Sequence, residues 1–163
     1  MKRMLALALL LCGFPAIAAA QVRIDVSVPA EEGFPKIHAI VRNETAQPIT
    51  VCVDMHCRSL TSSGAAIEAT PHPFILQKEM HKGEGDWLTL RSATDFGGWH
   101  VPKVIDGGES AEYAFRAHDA GRLRLLLNYW RGAMPDVDCE KKPKGARKVK
   151  SKPFDAFLFY TLH

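Results

Sequence analysis

The sequence predicts an all-β fold, an antiparallel sandwich or barrel. Several stretches alternate apolar and polar residues with period two, the mark of half-buried strands. Clusters of Gly, Pro, Asn and Asp separate them at near-regular intervals, and no apolar stripe at helical spacing exceeds about two turns. The chain has 163 residues, 47% hydrophobic and 24% charged. That length suits one domain, and those fractions exclude disordered, collagen-like and disulfide-dense miniprotein classes.

Residues 1–20 read as a secretory signal peptide. Lys2 and Arg3 form a positive n-region, Met4 to Cys12 an apolar run, and Ala18 and Ala20 a small-x-small cleavage pattern. The run is shorter than the roughly 20 residues that span a bilayer. Leu11 before Cys12 departs from a lipidation signal, which needs a small residue there. The expectation is an exported protein, periplasmic or secreted, with residues 21–163 as a single domain and no transmembrane segment. The formal net charge of +3 includes Lys2 and Arg3, so the remaining charge gives no argument for a nucleic-acid partner.

The first strand is Val22, Ile24, Val26 and Val28 alternating with Arg23, Asp25 and Ser27. Ile37, Ala39 and Val41 make the second. Asn43 to Pro48 supplies turn chemistry, because Asn and Thr bond nearby backbone and Pro lacks a ladder donor. Ile49, Val51 and Val53 resume, placing Cys52 on the opposite face. Phe74 to Gln77 and Trp87 to Leu90 read as short strands in a less regular middle. Asp106 to Ser110 is a turn, Ala111 to Ala117 a strand, and Asp119 to Gly121 another turn. Leu123, Leu125, Leu127 and Tyr129 then face one side, with Arg122, Arg124, Asn128 and Trp130 outward. Val149 and Phe154 to Leu162 close the chain, rich in residues suited to a pleated surface.

Two stretches carry a family resemblance. One is Val41-Arg42-Asn43-Glu44-Thr45-Ala46-Gln47-Pro48-Ile49; the other is Gly107 to Phe115, followed by Gly121 and Leu123 to Trp130. Their order resembles bacterial immunoglobulin-like sandwiches of the BsuPI-type inhibitor class. The resemblance implies an immunoglobulin-like antiparallel β-sandwich of about seven to eight strands. Its motifs report backbone turns, so it assigns no inhibitory residue.

Catalytic signatures are missing: no Gly-x-Ser-x-Gly elbow, no Ser-x-x-Lys, no His-Glu-x-x-His and no phosphate-binding glycine loop. Gly83-Glu84-Gly85-Asp86 reads as a turn. Asp136-x-Asp138-x-Glu140 imitates a calcium loop, then meets Lys141 where the Gly belongs. The expectation is no enzyme and no cofactor. The best metal candidate is Cys52, Met55, His56 and Cys57, a soft set suited to Cu(I) or Zn(II), with His72, Met80 and His81 able to complete a shell. Oxidation competes with it, since an exported chain pairs its thiols. Cys52, Cys57 and Cys139 permit one bridge and one leftover, and short spacing favours Cys52–Cys57 over Cys57–Cys139.

Candidate binding residues are Trp99 and His100, presented by Gly97 and Gly98, together with Trp130 and the basic block Lys141, Lys142, Lys144 and Arg147. The block reads as a long, solvated, mobile loop. The favoured function is a non-catalytic binding module for a protein partner in the cell envelope, inhibitor- or immunity-like, using end loops or a sheet face. A periplasmic copper- or zinc-binding protein is the first alternative. An envelope-associated protein drawn to anionic surfaces by its basic loop is the second.

Overall fold

A computed structural model describes residues 21–55, 57–60, 66–69, 71–90, 100–117, 119–141 and 144–157, with backbone course only at 57–60 and 66–69. Residues 1–20, the expected leader, therefore lie outside the described residues. So do His56, Trp99 and Lys142 and the side chain of Cys57. Every described element is a strand: β1 (Val22–Ser27), β2 (Lys36–Asn43), β3 (Ile49–Asp54), β4 (Cys57–Leu60), β5 (Ala66–Ala69), β6 (Phe74–Glu79), β7 (Trp87–Thr89), β8 (His100–Ile105), β9 (Ser110–Arg116), β10 (Gly121–Arg131), β11 (Arg147–Lys150) and β12 (Phe154–Ala156). Twelve strands among the described residues exceed the seven or eight expected. The excess is in pieces of three to six residues, too short or too polar to show a period.

Two antiparallel sheets pack face to face. The smaller has the order β1-β2-β9; the larger has the path β7-β6-β10-β3-β8, with β11 and β12 also on β10. The registers explain the branching. Leu126 and Leu127 pair with both β6 and β11, and Tyr129 with both β3 and β11. A strand has two edges, so β6 and β3 share one edge of β10 while β11 and β12 share the other. The chain thus leaves the sheet after Asp54, runs through the β4–β5 hairpin, and returns at His72 to the same edge.

Period-two alternation places the core between the layers. Ile37, Ala39 and Val41 of β2 and Ala111, Tyr113 and Phe115 of β9 face Ile49, Val51 and Val53 of β3 and Leu123, Leu125 and Leu127 of β10, all buried. Fully burying one Leu or Ile contributes roughly 1.5–3 kcal/mol, so these strands are the main source of stability. Phe74 meets the Tyr113 ring edge-on at 5.5 Å, joining β6 to the smaller sheet.

The break between β11 and β12 needs its own solution, because Leu125 faces it with a buried amide. Ser151 closes the gap. Its N–H donates to Leu125 O at 2.9 Å, and its Oγ accepts from Leu125 N–H at 2.9 Å while donating to Lys152 O at 2.8 Å. The hydroxyl replaces the ladder acceptor that a strand would have supplied.

Candidate functional site

One end of the sandwich gathers the 43–48 loop, the 106–109 turn and the start of the 132–146 segment. Asn43, fully buried at the end of β2, organises it. Its Nδ2 donates to Gln47 O at 2.8 Å and to Ile105 O and Asp106 O at 3.0 Å. Its Oδ1 accepts from Thr45 N–H at 3.2 Å and Thr45 Oγ1 at 2.6 Å. The backbone closes the joint, with Asn43 N–H donating to Glu109 O and Gly108 N–H to Asn43 O. The chains cross so closely at Gly107 that a Cβ there would sit 2.7 Å from Ala46 carbonyl atoms. The turn residues read from sequence are therefore one rigid bracket between the sheets.

The 132–146 segment leaves from this bracket and is anchored repeatedly. Gly132 N–H donates to Pro48 O at 2.8 Å. Thr50, fully buried on β3, donates its hydroxyl to Gly132 O at 2.8 Å and accepts from Met134 N–H at 2.9 Å. Cys139 is bonded to Cys52, with Cα atoms 5.7 Å apart. This corrects the favoured Cys52–Cys57 pairing. In an extended strand five residues span about 17 Å, and Cys52 points outward from β3, where a segment crossing the sheet can reach it.

The same crossing corrects the reading of Trp130. Parity puts it on the outer face as expected, yet only 7% of it is exposed. Its neighbour in register is Thr50, the residue that holds Gly132 and Met134. The same crossing accounts for the burial of Thr50 on the outer face of β3. Trp130 is a packing residue, and part of the basic block lies in a strand rather than in a loop. Lys141 is exposed and paired with Asp138 at 2.8 Å, Lys144 is exposed, and Arg147 belongs to strand β11.

At the opposite end of β3 two segments singled out by sequence become neighbours: Cys52, Val53 and Asp54 pair with Pro102, Val101 and His100. Asp54 is buried, and its Oδ2 lies 4.0 Å from His100 Nε2, beyond hydrogen-bond range. His72 completes this group through the Asp54↔His72 bridge. Its Nδ1 accepts from Phe74 N–H at 3.3 Å, and its ring lies 4.0 Å from that of Phe115. Nδ1 is thus engaged, which leaves Nε2 to carry the proton of the neutral ring.

The metal alternative loses part of its ligand set here. Cys52 is half of a disulfide, and Met80 and His81 lie beyond the far end of β6, roughly 20 Å from His72. Met55 is exposed. Among the described residues no three His, Cys, Asp or Glu side chains are grouped to hold a metal ion. His56 and the Cys57 side chain are outside them.

Burial pushes the His72 imidazole down to about 4, against a smaller opposing pull from Asp54. Its folded pKa lies below the unfolded value, so the unfolded chain takes up a proton first as pH falls. The stability it contributes is present above about pH 6.5 and is lost between there and pH 4. The expected loss is about 2–3 kcal/mol, allowing for solvent screening of a partly exposed ring. Urea unfolding at pH 7 and pH 4 checks this, with His72→Gln as the reference. Equal pH dependence in both proteins would reject it.

A shallow depression of about 450 Å³ lies on the outer face of the smaller sheet, lined by Asp25, Ser27, His38, Ile40, Glu112 and Ala114 among others. Ser27 and His38 are register partners there, with no hydrogen bond between their side chains. No family model matches the chain, and no curated protein matches it. The functional reading therefore rests on the geometry of this chain.

Proposed function

We propose that the protein is an exported, non-catalytic binding module of immunoglobulin-like design that engages a protein partner of the cell envelope through its loop end. The strand order supports that design: β1-β2-β9 against β8-β3-β10-β11 follows A-B-E against C′-C-F-G. In that correspondence 43–48 and 132–146 are the B–C and F–G loops, which share one end and form binding surfaces in antibody variable domains. The disulfide supports an oxidising compartment. Among the described residues no helix is long and apolar enough to cross a membrane.

The observation that carries the reading is the anchored 132–146 segment. Connections longer than about 12 residues are usually functional or disordered, and this one is held by a disulfide, by Thr50 and by Pro48. A loop tied down at Gly132, Met134 and Cys139 loses less entropy on binding there, so its exposed groups give more of their contact energy to affinity. Met134 is exposed on it, with Asp136, Asp138 and Glu140 as a charged rim.

A photo-crosslinking residue at position 134, in cells producing the protein, tests this. The expected result is a discrete protein adduct that is absent when the probe replaces Glu112 on the opposite sheet and is lost with Cys139→Ser. No adduct from position 134, or the same adducts from both positions, would overturn the proposal.

A further inference from the structure

The charges of this domain are unevenly partnered. Arg23, Lys36, Arg42, Lys78, Arg116 and Arg122 each have a carboxylate within 4 Å, at 2.6 Å for Arg42 and Lys78. Lys141 has Asp138. Arg131, Lys144, Arg147, Lys148, Lys150 and Lys152 are all exposed, and none has an ion-pair partner among the described residues; Lys82 between β6 and β7 and Lys103 on β8 also lack one but stand singly.

These six cations share one region. Arg147, Lys148 and Lys150 lie on β11, Lys144 and Lys152 flank it, and Arg131 ends β10 two residues beyond the Tyr129↔Arg147 pair. Lys148 and Lys150 point to the same side, about 7 Å apart along the strand. Near the region, Asp138 is held by Lys141 and by Glu140 N–H, and the exposed acids Asp136, Glu140 and Asp155 are fewer than its six cations. A strand flanked by lysines also resists pairing with another sheet, but that needs only one or two.

We infer that the β11 border docks the domain on an anionic phospholipid surface. This goes beyond the protein-partner reading and stands without it. Three features select a lipid surface. The border is an extended strand rather than a hollow, and the described depression lies on the other sheet, so the match is to a plane of charge and not to an enclosed phosphate. Four of the six cations are lysines, the residue depleted from protein interfaces, whose centres favour aromatics. No aromatic lies between 141 and 152, so the stacking that single-stranded nucleic acid requires is missing. Clusters of four to eight Lys or Arg bind anionic membranes, and each contributes about fivefold in affinity.

The test is co-sedimentation of the full oxidised chain, its leader removed, with phosphatidylcholine vesicles with and without phosphatidylglycerol. Binding is expected only with the anionic lipid, and it should fall steeply as salt shortens the screening length. Lys148→Gln with Lys150→Gln should weaken it about 10- to 30-fold. Lys36→Gln, a paired cation on the other sheet, should change it less than about twofold. Thermal unfolding of each variant shows that the fold is kept. Failure to bind anionic vesicles at low salt overturns the inference, as does binding to phosphatidylcholine alone or equal weakening by Lys36→Gln. Competition by inorganic phosphate beyond its ionic-strength effect also overturns it, since that marks a discrete phosphate site. Binding to DNA or an acidic polysaccharide without vesicle binding does the same.

Discussion

Replacing Cys52 and Cys139 together with serine is expected to lower the unfolding free energy by about 4 kcal/mol. The bond joins residues 87 apart in sequence, so removing it releases most of the loop-closure constraint on the unfolded chain. The folded state should suffer as well. Without Cys139 the 132–146 segment keeps, among the described residues, its Pro48 and Thr50 anchors, and Trp130 loses part of its cover. Urea unfolding with and without dithiothreitol measures the effect, and tryptophan emission reports the uncovering. The informative comparison is among single variants. Cys57→Ser should keep the sensitivity to reductant, whereas Cys139→Ser should abolish it. Loss of that sensitivity in Cys57→Ser would refute the Cys52–Cys139 pairing and, with it, the anchored loop on which the binding proposal rests.

That pairing shows where sequence reading stops. Strands β1, β2, β9 and the inward residues of β3 and β10 are legible because one face is dry and the other wet, so composition alternates with the pleat. The bracket is legible too, since Asn43, Thr45, Pro48, Gly107 and Gly108 are residues that turns select. Parity gives the face of Cys52 and Trp130 but says nothing of what covers that face. A segment about eighty residues later does so, and neither Thr50 nor Trp130 differs in sequence from an outward-facing residue. Strand β11 is invisible for a different reason. In Arg147-Lys148-Val149-Lys150 only one residue is apolar, and only partly buried, so an edge strand reads as part of a charged loop. The Asp54, His72 and His100 group could be assembled only from the β3–β8 register and the bridge at His72. The motifs were visible, and their adjacency was not.

The second large effect is expected at Asn43. Its side-chain amide joins the last residue of β2, in the smaller sheet, to the carbonyls of Ile105 and Asp106 at the end of β8, in the larger one. Asn43→Ala should cost about 3 kcal/mol, because buried carbonyls lose their donor and a cavity remains. Asn43→Asp changes almost no volume and should cost more, about 4 kcal/mol or failure to fold at neutral pH. A carboxylate oxygen would then face three carbonyl oxygens out of reach of water. The pH dependence separates the two causes. Burial without a donor raises the folded pKa of the new carboxyl above its unfolded value. Stability is therefore regained as pH falls and the protonated group donates one hydrogen bond. Relative to Asn43→Ala, the Asp variant should thus recover on acidification, in the opposite sense to the His72 effect. If both variants unfold like the unaltered protein, the amide is not what holds the sheets together. The consequence for binding follows from Pro48, which sits on the loop that Asn43 closes and accepts from Gly132 N–H. A loosened bracket frees the start of the 132–146 segment, so a variant that still folds should lose the crosslink from position 134 before it loses the Cys52–Cys139 bond.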